Sequence, residues 1–565
     1  MMSPPRDRLS HRAGRATVRV SADSRPLLAS GVTFERVADD AAWIAMRHGV
    51  PSSRVSRAVM QLLTAMNGEL TLQELHLRFG SSEPFDSFLQ LIQRFRANGL
   101  LEDTTRRVPG RVVYRPPLTL QLATLHAPSI FRRLDRMLVP LSPRAALTSL
   151  GVVLCAGGVA GSLQAAELFD VISTPTPLSA LVVLVVALSL ATLLHESAHG
   201  LTLARFGGRP RRAGFMLYYL TPAFFVDVTD GWRLPDRRQR VLIALAGPAV
   251  HAGVGAIALV VAFAVSHPTA RQTLQLFALT CAAIVVVNLI PFVRFDGYIA
   301  VMSALDEPDL RGRSILDGTG VVTSLLFGGP RPPRQLDARW SVPFGLASLV
   351  APVVLVLVAL ARTARALSAG GPLLGMLVVA VEAALVLGGL VVIGRALHRV
   401  IRTGVSRVRF VCVCAAIVSS LAIAGSLVTV PRSATLGFIA QGDRVMLVQA
   451  GTTSTGDAPV GSRAPVGSRV ELLSNGILVN QHVGDGVVAR ERHEPTTVPL
   501  DALFPVTAPG ISVPAVIVAE LDVSGDRGPV PPTGQARVEL GAMNLWQTLW
   551  TIGVAMPLSG QSSED

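Results

Sequence analysis

The 565-residue sequence contains no lysine: all 51 basic residues are arginines. The formal charge of +13 therefore rests on guanidinium groups alone, and a surplus of that size draws a chain toward nucleic acid or toward an anionic membrane face. Cysteine is also scarce. Cys155, Cys281, Cys412 and Cys414 each sit inside an apolar run, which excludes a disulfide framework and a zinc site built from two separated cysteine pairs. They read as packing residues. The first stretch, MMSPPRDRLSHRAGRATVRV, lacks an apolar segment behind its charges, so no cleaved secretory signal is expected and residues 1–30 read as a disordered basic arm.

What is abundant is apolar. Half of the residues are hydrophobic and mean hydropathy is positive, which excludes an ordinary soluble multidomain protein. Runs near the length of a bilayer crossing recur at about 145–163, 178–201, 238–264, 273–291, 343–361, 372–394 and 409–430. Seven spans put the termini on opposite sides. The arginine-rich segments are the N-terminal region, RFGGRPRRAG, the loop after Asp296 and RALHRVIRTGVSRVR, whereas QAAELFDVISTPTP is acidic and free of arginine. The excess of positive charge on cytoplasmic loops then predicts a cytoplasmic N-terminus and an extracytoplasmic C-terminal region. This distribution accounts for the surplus without nucleic acid.

The expected fold is a polytopic α-helical membrane protein with a small domain at each end. Residues 31–115 read as a winged-helix-like domain built mainly from three helices. SSRVSRAVMQLLTAMNG places Val59, Leu62, Leu63 and Met66 at helical spacing, TLQEL supplies Thr71 and Glu74 as a capping box, and a third helix aligns Phe88, Leu91, Ile92 and Phe95. GVTFERV and AAWIAMR alternate weakly, as strands do. Residues 116–144 read as a linker and 145–430 as the membrane domain. Residues 431–540, rich in valine, glycine and proline, read as an extracytoplasmic β-rich domain, with the tandem repeat APVGSRAPVGSR as a loop and 541–565 as a tail. NLWQTLWTIGVAMPL is too short to span, and its tryptophans suit a core edge or a membrane interface equally well.

The second span ends in His195-Glu196-Ser197-Ala198-His199. Ionisable groups are costly within a membrane and are rare there unless they serve a site. Two histidines four apart on a helix return to nearly one face, separated by roughly one turn, so both imidazoles can reach one ion. Glu196 lies about 100° round and is positioned to take a proton from a bound water without ligating. The plain alternative is a pair of histidines satisfied by polar neighbours at a helix end. A third donor is expected from NLIPFVRFDGY, where the fourth span returns to the same side; Asp296 with two imidazoles would leave a fourth tetrahedral position open. Otherwise Asp296-Gly297 is a turn. Zinc is expected, one per chain, although iron or cobalt accepts similar ligands.

HESAHG, AGP at 246–248 and NLIPFVRFDGY, in this order, resemble the site-2 protease family of intramembrane zinc metalloproteases, and more closely its bacterial peptide zinc metalloprotease branch, over roughly residues 178–312. The resemblance implies that His195, His199 and Asp296 hold zinc, that Glu196 is the catalytic base, and that Asn288 orients substrate or stabilises the developing oxyanion. One departure is His251, where many members carry asparagine; it is a packing residue or a substrate contact. Asp227 and Asp230 also match the branch pattern, and a surface or hairpin location is expected for them. Glu382, in mid-span, marks a polar cavity or a helix–helix hydrogen bond.

Residues 34–103 are similar to the peptide-recognition domains of the pyrroloquinoline-quinone D type, which bind leader peptides of ribosomally made, modified natural products as an added strand. A winged helix can instead bind DNA, but the third helix offers only Arg94 and Arg96. PPTGQARVELG is similar to the barrel of membrane-fusion export adaptors. Together these resemblances imply a zinc metalloendopeptidase of the cell membrane that cuts the leader from a peptide precursor. The alternatives are cleavage of a membrane-anchored anti-sigma factor, and a non-catalytic peptide export or immunity protein that keeps the fold.

Overall fold

The computed structural model describes residues 22–36, 42–47, 50–81, 84–102, 112–115, 119–124, 126–138, 142–218, 221–329, 333–368, 372–402, 404–442, 444–451, 464–523 and 530–555. The chain divides into two compact units: residues 1–138 with 199–243, and residues 139–198 with 244–565.

The first unit opens with three antiparallel strands, β1 (Val32–Arg36), β2 (Ala42–Arg47) and β3 (Val50–Ser56), followed by three helices, α1 (Arg57–Thr64), α2 (Leu72–Phe79) and α3 (Phe85–Ala97). Ser56 caps α1 through the Val59 amide at 3.3 Å, and Thr71 and Glu74 close the expected capping box on α2. The apolar helix faces meet as anticipated: Leu62, Leu63, Met66, Leu72, Leu75, Phe88, Ile92 and Phe95 form one buried cluster against Ala45 and Val55. The basic arm expected over residues 1–30 lies outside the described residues up to 21. Beyond that the backbone is pinned, with the Leu28 amide donating to Met66 O and the Ala29 amide to Leu100 O. Part of the expected 116–144 linker also takes regular structure. Strands β4 (Val112–Arg115) and β5 (Thr119–Thr124) precede the amphipathic α4 (Ala127–Leu138).

Next come α5 (Pro143–Leu163), α6 (Ala165–Ser173), the two-residue β6 (Thr176–Pro177) and α7 (Leu178–Arg205). A hairpin of β7 (Ala213–Tyr218) and β8 (Thr221–Val226) then adds to β5, giving the order β4-β5-β7-β8. Gly214 is required in that sheet because a side chain there would strike the Leu122 carbonyl.

The helical series continues with α8 (Arg237–Ala264), α9 (Pro268–Asn288), α10 (Asp296–Leu305), α11 (Leu310–Phe327), α12 (Ser341–Ser368), α13 (Pro372–Arg402) and α14 (Arg407–Leu427). Helices α5, α7, α8, α9, α12, α13 and α14 are long and apolar enough to cross a membrane, which matches the seven expected spans and is consistent with a membrane location. Their exposed faces carry large apolar residues such as Val182, Val185, Leu387 and Val418, as lipid contact demands. Small residues let helices approach closely: a Cβ at Gly157 of α5 would collide with Ala256 of α8, and one at Gly345 of α12 with the Ser314 backbone of α11.

The C-terminal region is β-rich, as expected, and its strands close into a barrel. Strands β9 (Thr429–Gln441), β10 (Arg444–Ala450), β11 (Arg469–Leu473), β12 (His482–Pro499), β14 (Ser512–Val523) and β15 (Thr533–Asn544) pair in the order β10-β14-β12-β11-β15-β9. Phe438, Leu447, Leu472, Val488 and Val538 fill its interior. The first copy of the tandem repeat lies outside the described residues as far as 463; the second leads into β11. A two-residue strand, β13 (Val506–Thr507), pairs in parallel with β6, and Ser173 at the end of α6 bonds to Ser474 and Gln481. The expected tail begins by completing β15 and then forms α15 (Leu545–Trp550), where Trp546 donates to Ala422 O of α14 at 3.1 Å.

Candidate metal centre

Between Leu178 and His199, α7 contains neither proline nor glycine, so the helix is unbroken and delivers His195 and His199 one turn apart. Both side chains are buried, at 6% exposure each. Asp296 stands at the first position of α10, and its carboxylate Oδ2 lies 3.1 Å from His195 Nε2. One donor atom from each of His195, His199 and Asp296 can be chosen so that all three lie within 4.8 Å of one another. This buried group could hold a metal ion. Two imidazoles and one carboxylate are a donor set that first-row divalent ions accept.

The position of Asp296 depends on the residue after it. A Cβ at Gly297 would collide with the backbone of Leu289, at the end of α9, so only glycine lets α10 start this close. His199 is oriented from the other side: its Nδ1 lies 2.6 Å from Ile243 O on α8. A protonated Nδ1 donating to that carbonyl fixes the tautomer and leaves Nε2 as the available ligand atom. The AGP motif lies just beyond, and Pro248 has no N–H for the carbonyl four residues earlier, which opens the α8 ladder beside Ile243. Sequence reasoning missed Ile243 because a backbone carbonyl leaves no residue-type signal.

Glu196 is half-buried on the same turn of α7 as the two histidines. His251, on α8, is 2% exposed, and its ring centroid lies 5.1 Å from that of His195. Its Nδ1 has no hydrogen-bond partner among the described residues, so it stands beside the donor group with capacity to spare. Asn288 ends α9 with its amide turned back on its own helix, donating to Ile284 O at 3.0 Å. Glu382 lies elsewhere, on α13, with its Oε2 3.2 Å from where a Cβ at Gly553 would stand.

Asp227 makes a local turn, its Oδ1 accepting from the Thr229 amide and hydroxyl, in keeping with a hairpin end. Asp230 differs from expectation. It is 2% exposed rather than on the surface, because its carboxylate accepts the Arg209 amide at 2.9 Å and pairs with Arg211 at 3.3 Å. A buried carboxylate persists only with such partners.

No family model, no curated protein and no solved structure matches this chain.

Proposed function

We propose that the protein is a multi-pass membrane zinc metalloendopeptidase that cuts the leader from a ribosomally made, modified peptide. The observation that carries this reading is the convergence of His195, His199 and Asp296, with Glu196 on the same helical turn. Each of the three donors would give one atom to the ion. When bound, zinc supplies Lewis acidity, lowering the pKa of a water and drawing electron density from the scissile carbonyl.

The protein's own residues do the rest. Glu196 accepts the proton that the attacking water sheds as its oxygen bonds to the carbonyl carbon, and returns it to the leaving amine nitrogen as the C–N bond breaks. Ile243 O holds His199 in the ligating tautomer, and the buried surroundings limit the water that competes with substrate. Asn288 would turn its amide from Ile284 O toward the substrate carbonyl, and His251 is placed to touch the same peptide. Residues 31–115 would capture the peptide in the cytoplasm, in the manner of the recognition domains they resemble, while the barrel lies outside.

The test compares wild type with Glu196→Gln, purified and co-expressed with a precursor peptide. Both should carry about one zinc, and the variant should lose cleavage by roughly 10²-fold or more. A chelator should abolish the wild-type activity. Zinc bound by both with no cleavage by either would sink the peptidase reading.

A further inference from the structure

The sheet β1-β2-β3 has two faces, and only one is used by the helices behind it. Val32, Phe34, Trp43, Ala45 and Val55 pack into the helical core. The other face presents Thr33 and Glu35 above the buried Ile44 and Met46. Opposite it, within the same unit, stand Pro128, Arg209, Arg211 and Arg233, and they line with it an open cavity of about 630 Å³.

We propose that this cavity is a carboxylate-binding pocket that reads an acidic side chain of an extended peptide; the proposal rests on the reading that this unit captures a peptide. Charge makes the first argument. Three guanidiniums line the cavity, whereas Glu35 is the one acidic residue among the lining residues. Asp230 lies beneath, and its oxygens are already committed to the Arg209 amide and to Arg211, with Arg233 at 3.7 Å. It organises the arginines and offsets a single charge. Arg209 makes no ion pair among the described residues. The wall thus keeps an excess of positive charge in a geometry that favours carboxylates, since the planar guanidinium fork matches them atom for atom.

Glu35 makes the second argument. Its Oε1 lies 2.6 Å from Arg233 Nη2, but the two side chains are 51% and 32% exposed. An ion pair so open to solvent contributes roughly 0–1 kcal/mol, so an incoming carboxylate can take its place. Glu35 therefore acts as an internal occupant that shows what Arg233 accepts. The third argument is the backbone. β1 ends its sheet, with β2 on one side and no strand paired on the other among the described residues. An extended peptide can lie along such an edge and direct alternate side chains to one face.

The experiment measures fluorescence anisotropy of a fluorescein-labelled octapeptide of alternating glutamate and leucine, titrated with the full-length protein in neutral detergent. A glutamine–leucine peptide and vesicles of phosphatidylglycerol serve as comparisons. The glutamate peptide should bind about tenfold more tightly than its glutamine counterpart. Arg209→Gln should remove that preference. Glu35→Gln, which deletes the internal competitor, should tighten binding about two- to fivefold, an outcome that a misfolded variant cannot mimic. Equal binding of the two peptides, indifference to Arg209→Gln, or Arg209-dependent capture of the vesicles without the peptide would each overturn the proposal. If the precursor is cleaved while the glutamate peptide fails to bind, the pocket falls and the peptidase reading stands. If the peptide binds as described while nothing is cleaved, the reverse holds.

Discussion

Adding one methyl group at Gly297 would drive it into the Leu289 backbone, and the first turn of α10 would have to move. Asp296 would move with it. Gly297→Ala should therefore weaken metal binding by about 10–100-fold, the usual effect of disturbing the support of a ligand. Metal content after dialysis against graded chelator would measure it, and full retention would show that Asp296 does not ligate. Much of this residue-scale design was legible in advance. The four-residue spacing of His195 and His199 and the Asp-Gly pair at the end of the fourth apolar run pointed to three donors. What was illegible was their support, since Ile243 contributes a carbonyl that every residue type shares, and, away from the donors, the burial of Asp230 by arginines whose approach depends on the fold.

Among the elements, α2 carries a direct pH dependence. The Thr71 backbone amide, with the Thr71 hydroxyl second, holds the Glu74 carboxyl below its ordinary value of 4.5. A depressed folded-state pKa means the contribution is complete above the unfolded value and is lost as pH falls through the lower folded one. Hydrogen exchange at the first-turn amides of α2 in the full chain should accordingly speed up as pH drops below about 4.5, beyond the intrinsic change in exchange chemistry. Glu74→Gln should flatten that response. The capping box was readable because it is local, four consecutive residues long. The seven long apolar helices were readable for a similar reason, as each announces itself by composition. α11 was not, since Arg311, Arg313, Ser314 and Asp317 interrupt its apolar pattern while its burial comes from packing on α12. Closure of the barrel was hidden too. It depends on β9 pairing with β15 from the far end of the domain, and no short window of sequence records such a register.

At the scale of the whole molecule, the C-terminal region is fastened to the helices by polar contacts around Ser173, by Ile477 packed against Val171, Leu184 and Leu276, and by Trp546 on α14. Gln481 donates to Ser173 Oγ at 2.6 Å, Ser474 donates to Ser173 O, and β6 pairs with β13. Ser173→Ala would leave the Gln481 amide short of an acceptor, at a cost of about 1–3 kcal/mol. The expected sign is earlier thermal release of the barrel, seen as limited proteolysis near residues 174–177 at temperatures where the wild type resists. Unchanged cleavage would mean that the remaining contacts suffice, among them the Ser474 bond to Ser173 O and the β6–β13 pair.

The strand pair has a mechanical consequence. β6 runs directly into α7, and from Leu178 to His195 that helix is a continuous rod of about 26 Å with no proline or glycine to kink it. Asp296 rides on a different element. A displacement passed from β13 to β6 would therefore enter the helix at its first turn, and His195, 3.1 Å from Asp296, stands at the far end of the same helix. The strand pair thus anchors the start of the helix whose other end carries two of the three donors.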